Sequence, residues 1–168
     1  MISRSRRVAT AFAGAALAAG VGMASTASAG AGRVSTFHGV FTETTKGSDL
    51  GYDIRGSAKM AVSSAGTAVT VHVAGLDPKI YGSHLHNGTC ASGGGGHYQD
   101  VAGPLITPPN ELWLHAIGSG LVPNAGGVAH GSGSATWQAR VSSTVLTNAL
   151  SVVVHEPGGA RIACADLG

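Results

Sequence analysis

In Thr67-Ala68-Val69-Thr70-Val71-His72-Val73 the alternation of apolar and polar side chains is clearest. Successive side chains of an extended chain point to opposite faces, so Val69, Val71 and Val73 share one face and Thr70 and His72 the other. This is the signature of a half-buried strand. Outward from it, segments of the same kind run over about 34–41, 54–62, 128–141 and 150–155. Turn-forming stretches such as Ser63-Ser64-Ala65-Gly66 and Pro123-Asn124-Ala125-Gly126-Gly127 separate them. Short strands at this spacing predict an all-β sandwich or barrel. Between about 81 and 121 the alternation gives way to turns, with Ser92-Gly93-Gly94-Gly95-Gly96 and then Pro104, Pro108 and Pro109. A stretch of that length inside a compact domain is either a functional loop or a disordered one.

The composition agrees. Glycine supplies 27 of 168 residues with no collagen period, and aromatics are 5% against 43% hydrophobic residues in all, enough for one core. Charged residues make up only 11%, which argues against a nucleic-acid binder that relies on a basic face.

Residues 1–29 read as an address. Arg4, Arg6 and Arg7 precede an Ala/Gly-rich apolar stretch without acids, and Ala27-Ser28-Ala29 offers small residues for cleavage, the pattern of an export signal peptide. The stretch is too weakly apolar for a membrane anchor, and whether Sec or twin-arginine export is used stays open. Without it, the domain of residues 30–168 has seven basic and eight acidic residues, and no later stretch is apolar enough to span a bilayer. Cys90 and Cys164 both lie in the exported part, and an oxidising periplasm, cell-wall space or exterior favours a disulfide between them.

The eight histidines carry the chemistry. In His84-Leu85-His86, residues i and i+2 of a strand project to one side, so both rings can offer nitrogens to one point. His97 follows the glycine run, which can fold back to bring a third ring, and His155 ends the apolar strand Val152-Val153-Val154. His38, His72 and His130 read as solvent-facing or structural. Asn87-Gly88-Thr89 fits an N-glycosylation pattern, but a bulky sugar there would obstruct the neighbouring histidines.

Taken together and in order, Tyr81-Gly82-Ser83-His84-Leu85-His86-Asn87-Gly88-Thr89-Cys90, Gly95-Gly96-His97, Val153-Val154-His155-Glu156 and Arg161-Ile162-Ala163-Cys164 resemble the copper/zinc superoxide dismutase family over about 58–168. The resemblance implies an immunoglobulin-like Greek-key β-sandwich or barrel of about eight strands with a long irregular metal-binding loop. It implies copper held by His84, His86, His97 and His155, a Cys90–Cys164 disulfide, and Arg161 beside the copper as the guanidinium that attracts superoxide. His97 stands in the place of the imidazole that bridges to zinc in two-metal members, and it handles a proton of the reaction, as a ring with a pKa near working pH can.

Two departures matter. The region where zinc ligands are expected reads Leu112-Trp113-Leu114-His115-Ala116-Ile117-Gly118-Ser119-Gly120, with no Asp and with His115 as its one histidine. A four-ligand zinc site cannot be assembled there in the usual way, so copper without zinc is expected. Without zinc another group must orient His97, and Asp100 and Glu111 are the nearest acids. The second departure is the connection between His155 and Arg161, five residues in place of a long charged loop, which should leave the copper site open.

The function expected is that of an exported copper-only superoxide dismutase, converting superoxide to dioxygen and hydrogen peroxide by cycling Cu(II) and Cu(I). The alternative is a non-catalytic copper buffer or carrier of the same fold. The oligomeric state is not legible in the sequence.

Overall fold

The computed structural model describes residues 33–101, 110–115, 120–139 and 150–168. The expected signal peptide, the prolines at 104, 108 and 109, and the end of the expected strand at 140–141 lie outside the described residues. The described strands are β1 (Ser35–Val40), β2 (Thr42–Glu43), β3 (Arg55–Ser63), β4 (Gly66–Ala74), β5 (Gly82–His86), β6 (Ala129–Ala135), β7 (Leu150–His155) and β8 (Arg161–Leu167). They form two antiparallel four-stranded sheets, ordered β1-β3-β4-β6 and β2-β8-β7-β5. β4 and β6 are neighbours although β5, between them in sequence, lies in the other sheet; this is the expected Greek-key sandwich.

The alternation that predicts β4 is the alternation seen: Val69, Val71 and Val73 are buried, while Ala68, Thr70 and His72 are exposed. β3 and β4 join through the two residues Ser64 and Ala65, since Ser63 pairs with Gly66. From the second sheet, Leu85, Val152, Val154 and Ile162 meet these valines in a single core.

Three features were not anticipated. A short helix α1 (Thr45–Asp49) is capped by the Thr44 hydroxyl, which accepts from Gly47 N–H at 3.1 Å. A Cβ on Gly47 would overlap the Ile162 carbonyl oxygen, so glycine there lets α1 lie against β8. The C-terminal strand β8 carries no alternation to find, because Ile162, Ala163, Cys164 and Ala165 are all buried. It is covered on both faces and reads as a continuous small apolar run. The third is the extent of β6, which ends at Ala135 rather than running on to 139.

β7 is also buried on both faces. Val152 and Val154 enter the core, while Ser151, Val153 and His155 face outward beneath the segment that follows β5. That segment lies flat on the sheet because Gly93, Gly94 and Gly95 adopt φ of 76°, 83° and 67°, a left-handed backbone that favours glycine. A Cβ on Gly94 would stand 2.9 Å from the Val153 side chain. The glycine run is therefore a close-fitting cover over the outer face of the sheet.

Candidate metal centre

His84 and His86 project from the outer face of β5, with Leu85 between them in the core. His155, at the end of β7, lies beside them, because β5 and β7 pair antiparallel from Gly82↔His155 to His86↔Ser151. After the glycine run the chain returns to the free edge of β5, where Asn87 N–H donates to Gly96 O at 3.0 Å and Tyr98 N–H to Leu85 O at 2.9 Å. The Asn87 side chain accepts from Gly96 N–H at 2.9 Å, closing the loop on itself. This turns His97 onto the other three rings. One ligand atom from each of His84, His86, His97 and His155 lies within 4.8 Å of the others. The structure thus brings together all four residues expected to bind metal, and the cluster could hold a metal ion.

Tautomers sharpen this. His86 Nδ1 lies 3.3 Å from Gly95 O and His155 Nδ1 lies 3.0 Å from Gly159 O, and only a protonated nitrogen bonds to a carbonyl. In neutral rings both Nε2 atoms then carry lone pairs, and they face each other at 3.2 Å. Two lone pairs at that distance repel unless a cation lies between them. Nitrogens bound at about 2.0–2.1 Å around a tetrahedral ion stand at about this separation. His84 Nδ1 is buried and has no hydrogen-bond partner, a costly state for a polar atom unless it is a ligand. The donor set fits a transition metal that accepts imidazole.

The electrostatics keep His84, His86 and His155 neutral. Burial, then the charge of His155 and of the other rings, pushes the His84 pKa down to about 2. Burial and then His155 lower His86 to about 3, and burial also lowers His155. An unfolded chain protonates these rings near pH 6.5 and the folded one does not, so the metal-free protein has its full stability above pH 6.5 and loses it as the pH falls. The loss is about 1.4 kcal/mol per pH unit for each such histidine. Urea midpoints of metal-free protein between pH 7.5 and 4 are expected to fall steadily, and His84→Gln to flatten the slope. A profile independent of pH in this range contradicts the burial of neutral rings.

Behind His97 stands Glu111, 2% exposed. Its Oε2 lies 3.0 Å from His97 Nδ1 and accepts from Trp113 Nε1 at 3.0 Å, and its Oε1 accepts from Gln99 at 3.2 Å. Of the two acids considered for this position, Glu111 is the one that meets His97. Trp113 itself was missed; Glu111-Leu112-Trp113 in an extended segment, with i and i+2 on one side, was the available signal. That segment runs along β5, with Leu85 N–H bonded to Leu112 O and Leu114 N–H to Ser83 O. It can approach because β6 offers Gly133, where a Cβ would overlap the Trp113 carbonyl oxygen. His115 is placed elsewhere: its ring nitrogens lie 3.3 Å from Ser83 N–H and 3.1 Å from Gly120 N–H, and it is not one of the four clustered histidines.

Arg161, at the start of β8, lines the same cleft of about 490 Å³ as His84, His97, His155 and Trp113. Its guanidinium donates to Gly93 O. The disulfide Cys90–Cys164 is formed, and Cys90 N–H also bonds to the Asp166 carboxylate at 2.7 Å. The loop that carries His97 is therefore fastened to β8 at three points. The other rim of the cleft is the five-residue turn 156–160, closed by Glu156 N–H to Ala160 O at 2.8 Å. Its Glu156 side chain accepts from Lys79 at 2.9 Å and Tyr52 at 3.0 Å, and the Lys79 contact holds the Glu156 pKa below its usual range. This clamp had no signal in the sequence, because its members come from three distant segments.

Among the described residues no helix is long and apolar enough to cross a membrane. A scan against protein-family models found no match, and a search among curated proteins returned none either.

Proposed function

We propose that the protein is an exported, copper-only member of the copper/zinc superoxide dismutase family, converting superoxide to dioxygen and hydrogen peroxide. The observation that carries this reading is the convergence of four imidazoles, two with lone pairs facing at 3.2 Å, in a cleft shared with one guanidinium. His84, His86, His97 and His155 would hold copper, which supplies one-electron cycling between Cu(II) and Cu(I). Uncharged nitrogen donors suit both states, and copper leads the divalent affinity order.

The chain's own groups supply the rest. Arg161 attracts and orients the small anion, the kind of steering established for superoxide dismutases. With Nδ1 held by Glu111, which fixes the ring's orientation, His97 has Nε2 as the nitrogen that would hold copper, and Nε2 can carry a proton for the product only when it is released from the metal. Glu111 occupies the Nδ1 side of His97, where the family resemblance would put zinc, and His115 lies outside the cluster, able to accept from one backbone amide; both support copper without zinc. The disulfide agrees with an oxidising compartment outside the cytoplasm, and residues 1–29 would direct export.

Metal analysis after loading with both ions tests the site: one copper and no zinc per chain, with copper lost in His86→Gln, is the expected result. Equal zinc retention, or copper unaffected by His86→Gln, overturns it. Arg161→Ala is expected to lower the rate constant with superoxide about five- to tenfold and to weaken its dependence on salt, while copper stays bound. An unchanged rate removes Arg161 from the reaction.

A further inference from the structure

The outer face of the other sheet carries a second pair of imidazoles. His72 on β4 and His130 on β6 are direct cross-strand partners. Val71, Val73 and Ala129 beside them are buried, so both histidines point away from the core, and both are exposed. Their ring centroids are 4.8 Å apart. Within the four-histidine cluster the ring separations run from 3.8 Å to 6.3 Å, so this pair is spaced like rings that can share an ion. Among the described residues neither ring makes a side-chain hydrogen bond. The directly adjoining positions on the same face carry small side chains, Ser57 on β3 and the pair Thr70 and Ser132, with the longer Arg55 and Lys59 of β3 diagonal to His72.

We propose that His72 and His130 form a surface chelate for one late first-row transition ion, copper(II) foremost, with water completing its coordination. Strand pairing fixes the two backbones about 4.5–5.5 Å apart. Once one imidazole binds, the second is therefore held at high effective concentration. Imidazole favours copper, nickel and zinc over magnesium or calcium, and among divalent ions copper binds most tightly. The site is independent of the buried cluster, which lies on the outer face of the opposite sheet. His38, exposed on β1, stands in another row opposite Lys59 and is not part of the chelate.

The test is a copper(II) titration of the full chain, followed through the histidine ring resonances by nuclear magnetic resonance. Paramagnetic broadening of the His72 and His130 signals together, at one ion beyond any taken by the buried cluster, is the expected result. His72→Gln or His130→Gln should weaken that ion's binding by about tenfold or more, and His38→Gln should leave it unchanged. The proposal is overturned if the His72 and His130 signals stay sharp, or if His38→Gln weakens binding as much as the other two. These signals report their own ion, so the outcome does not depend on whether the buried cluster takes copper.

Discussion

Glu111→Gln is expected to weaken copper binding about 10- to 100-fold and to slow superoxide removal by a similar factor. The carboxylate is buried and receives three donors, from His97, Trp113 and Gln99, over 3.0 to 3.2 Å. Glutamine keeps the volume but replaces one acceptor oxygen with an NH₂ group. That group must then face a donor, either the His97–Trp113 side or Gln99. The first arrangement either rotates His97, taking Nε2 away from the other rings, or reverses its tautomer, placing the proton on Nε2 and removing its lone pair. The second breaks the contact that holds the 97–99 segment. Copper competition against a chromophoric chelator reads the affinity, and rapid-mixing kinetics read the rate. If both match the parent protein, His97 is positioned by something other than Glu111.

Cys90→Ala with Cys164→Ala is expected to cost about 4 kcal/mol of stability. The disulfide closes a sequence separation of 74 residues, and loop-closure entropy in the unfolded chain sets that scale. The consequence reaches the cleft. Cys90 opens the loop whose Gly93 carbonyl receives the Arg161 guanidinium and whose end delivers His97. Without the link, Arg161 loses a fixed partner as well, so the superoxide rate should fall even where the variant is fully folded. Urea unfolding followed by circular dichroism measures the first effect: a lower midpoint with a steeper slope is predicted, because the unfolded chain without the cross-link exposes more surface. An unchanged midpoint would mean that the Asp166 contact and the packing of β8 hold the loop unaided.

What the sequence made legible follows from geometry. β4 was readable because one face is buried and the other wet, which writes alternation into residues 67–73. His84 and His86 were readable because a strand puts i and i+2 on one side. β8 hid because it is buried on both faces, and α1 hid because its capping threonine and close-packed Gly47 act against β8 rather than within an apolar stripe. The glycine run was legible as a loop, but not as a cover moulded onto Val153. The choice between Asp100 and Glu111 depended on how residues 97–99 and 111–114 meet β5, a pairing between irregular segments that no local pattern encodes. The exposed faces of His72 and His130 could be read from their strands; that they stand opposite each other required the register of β4 and β6.

If the protein is a superoxide dismutase, its four clustered rings hold one redox-active ion that turns over superoxide. Pulse radiolysis of protein carrying one copper per chain tests this most directly. Superoxide decay far faster than with the metal-free protein, in proportion to enzyme concentration and abolished by His86→Gln, is the result predicted. Decay no faster than with the metal-free protein, while copper remains bound, would contradict the enzyme and leave a copper carrier.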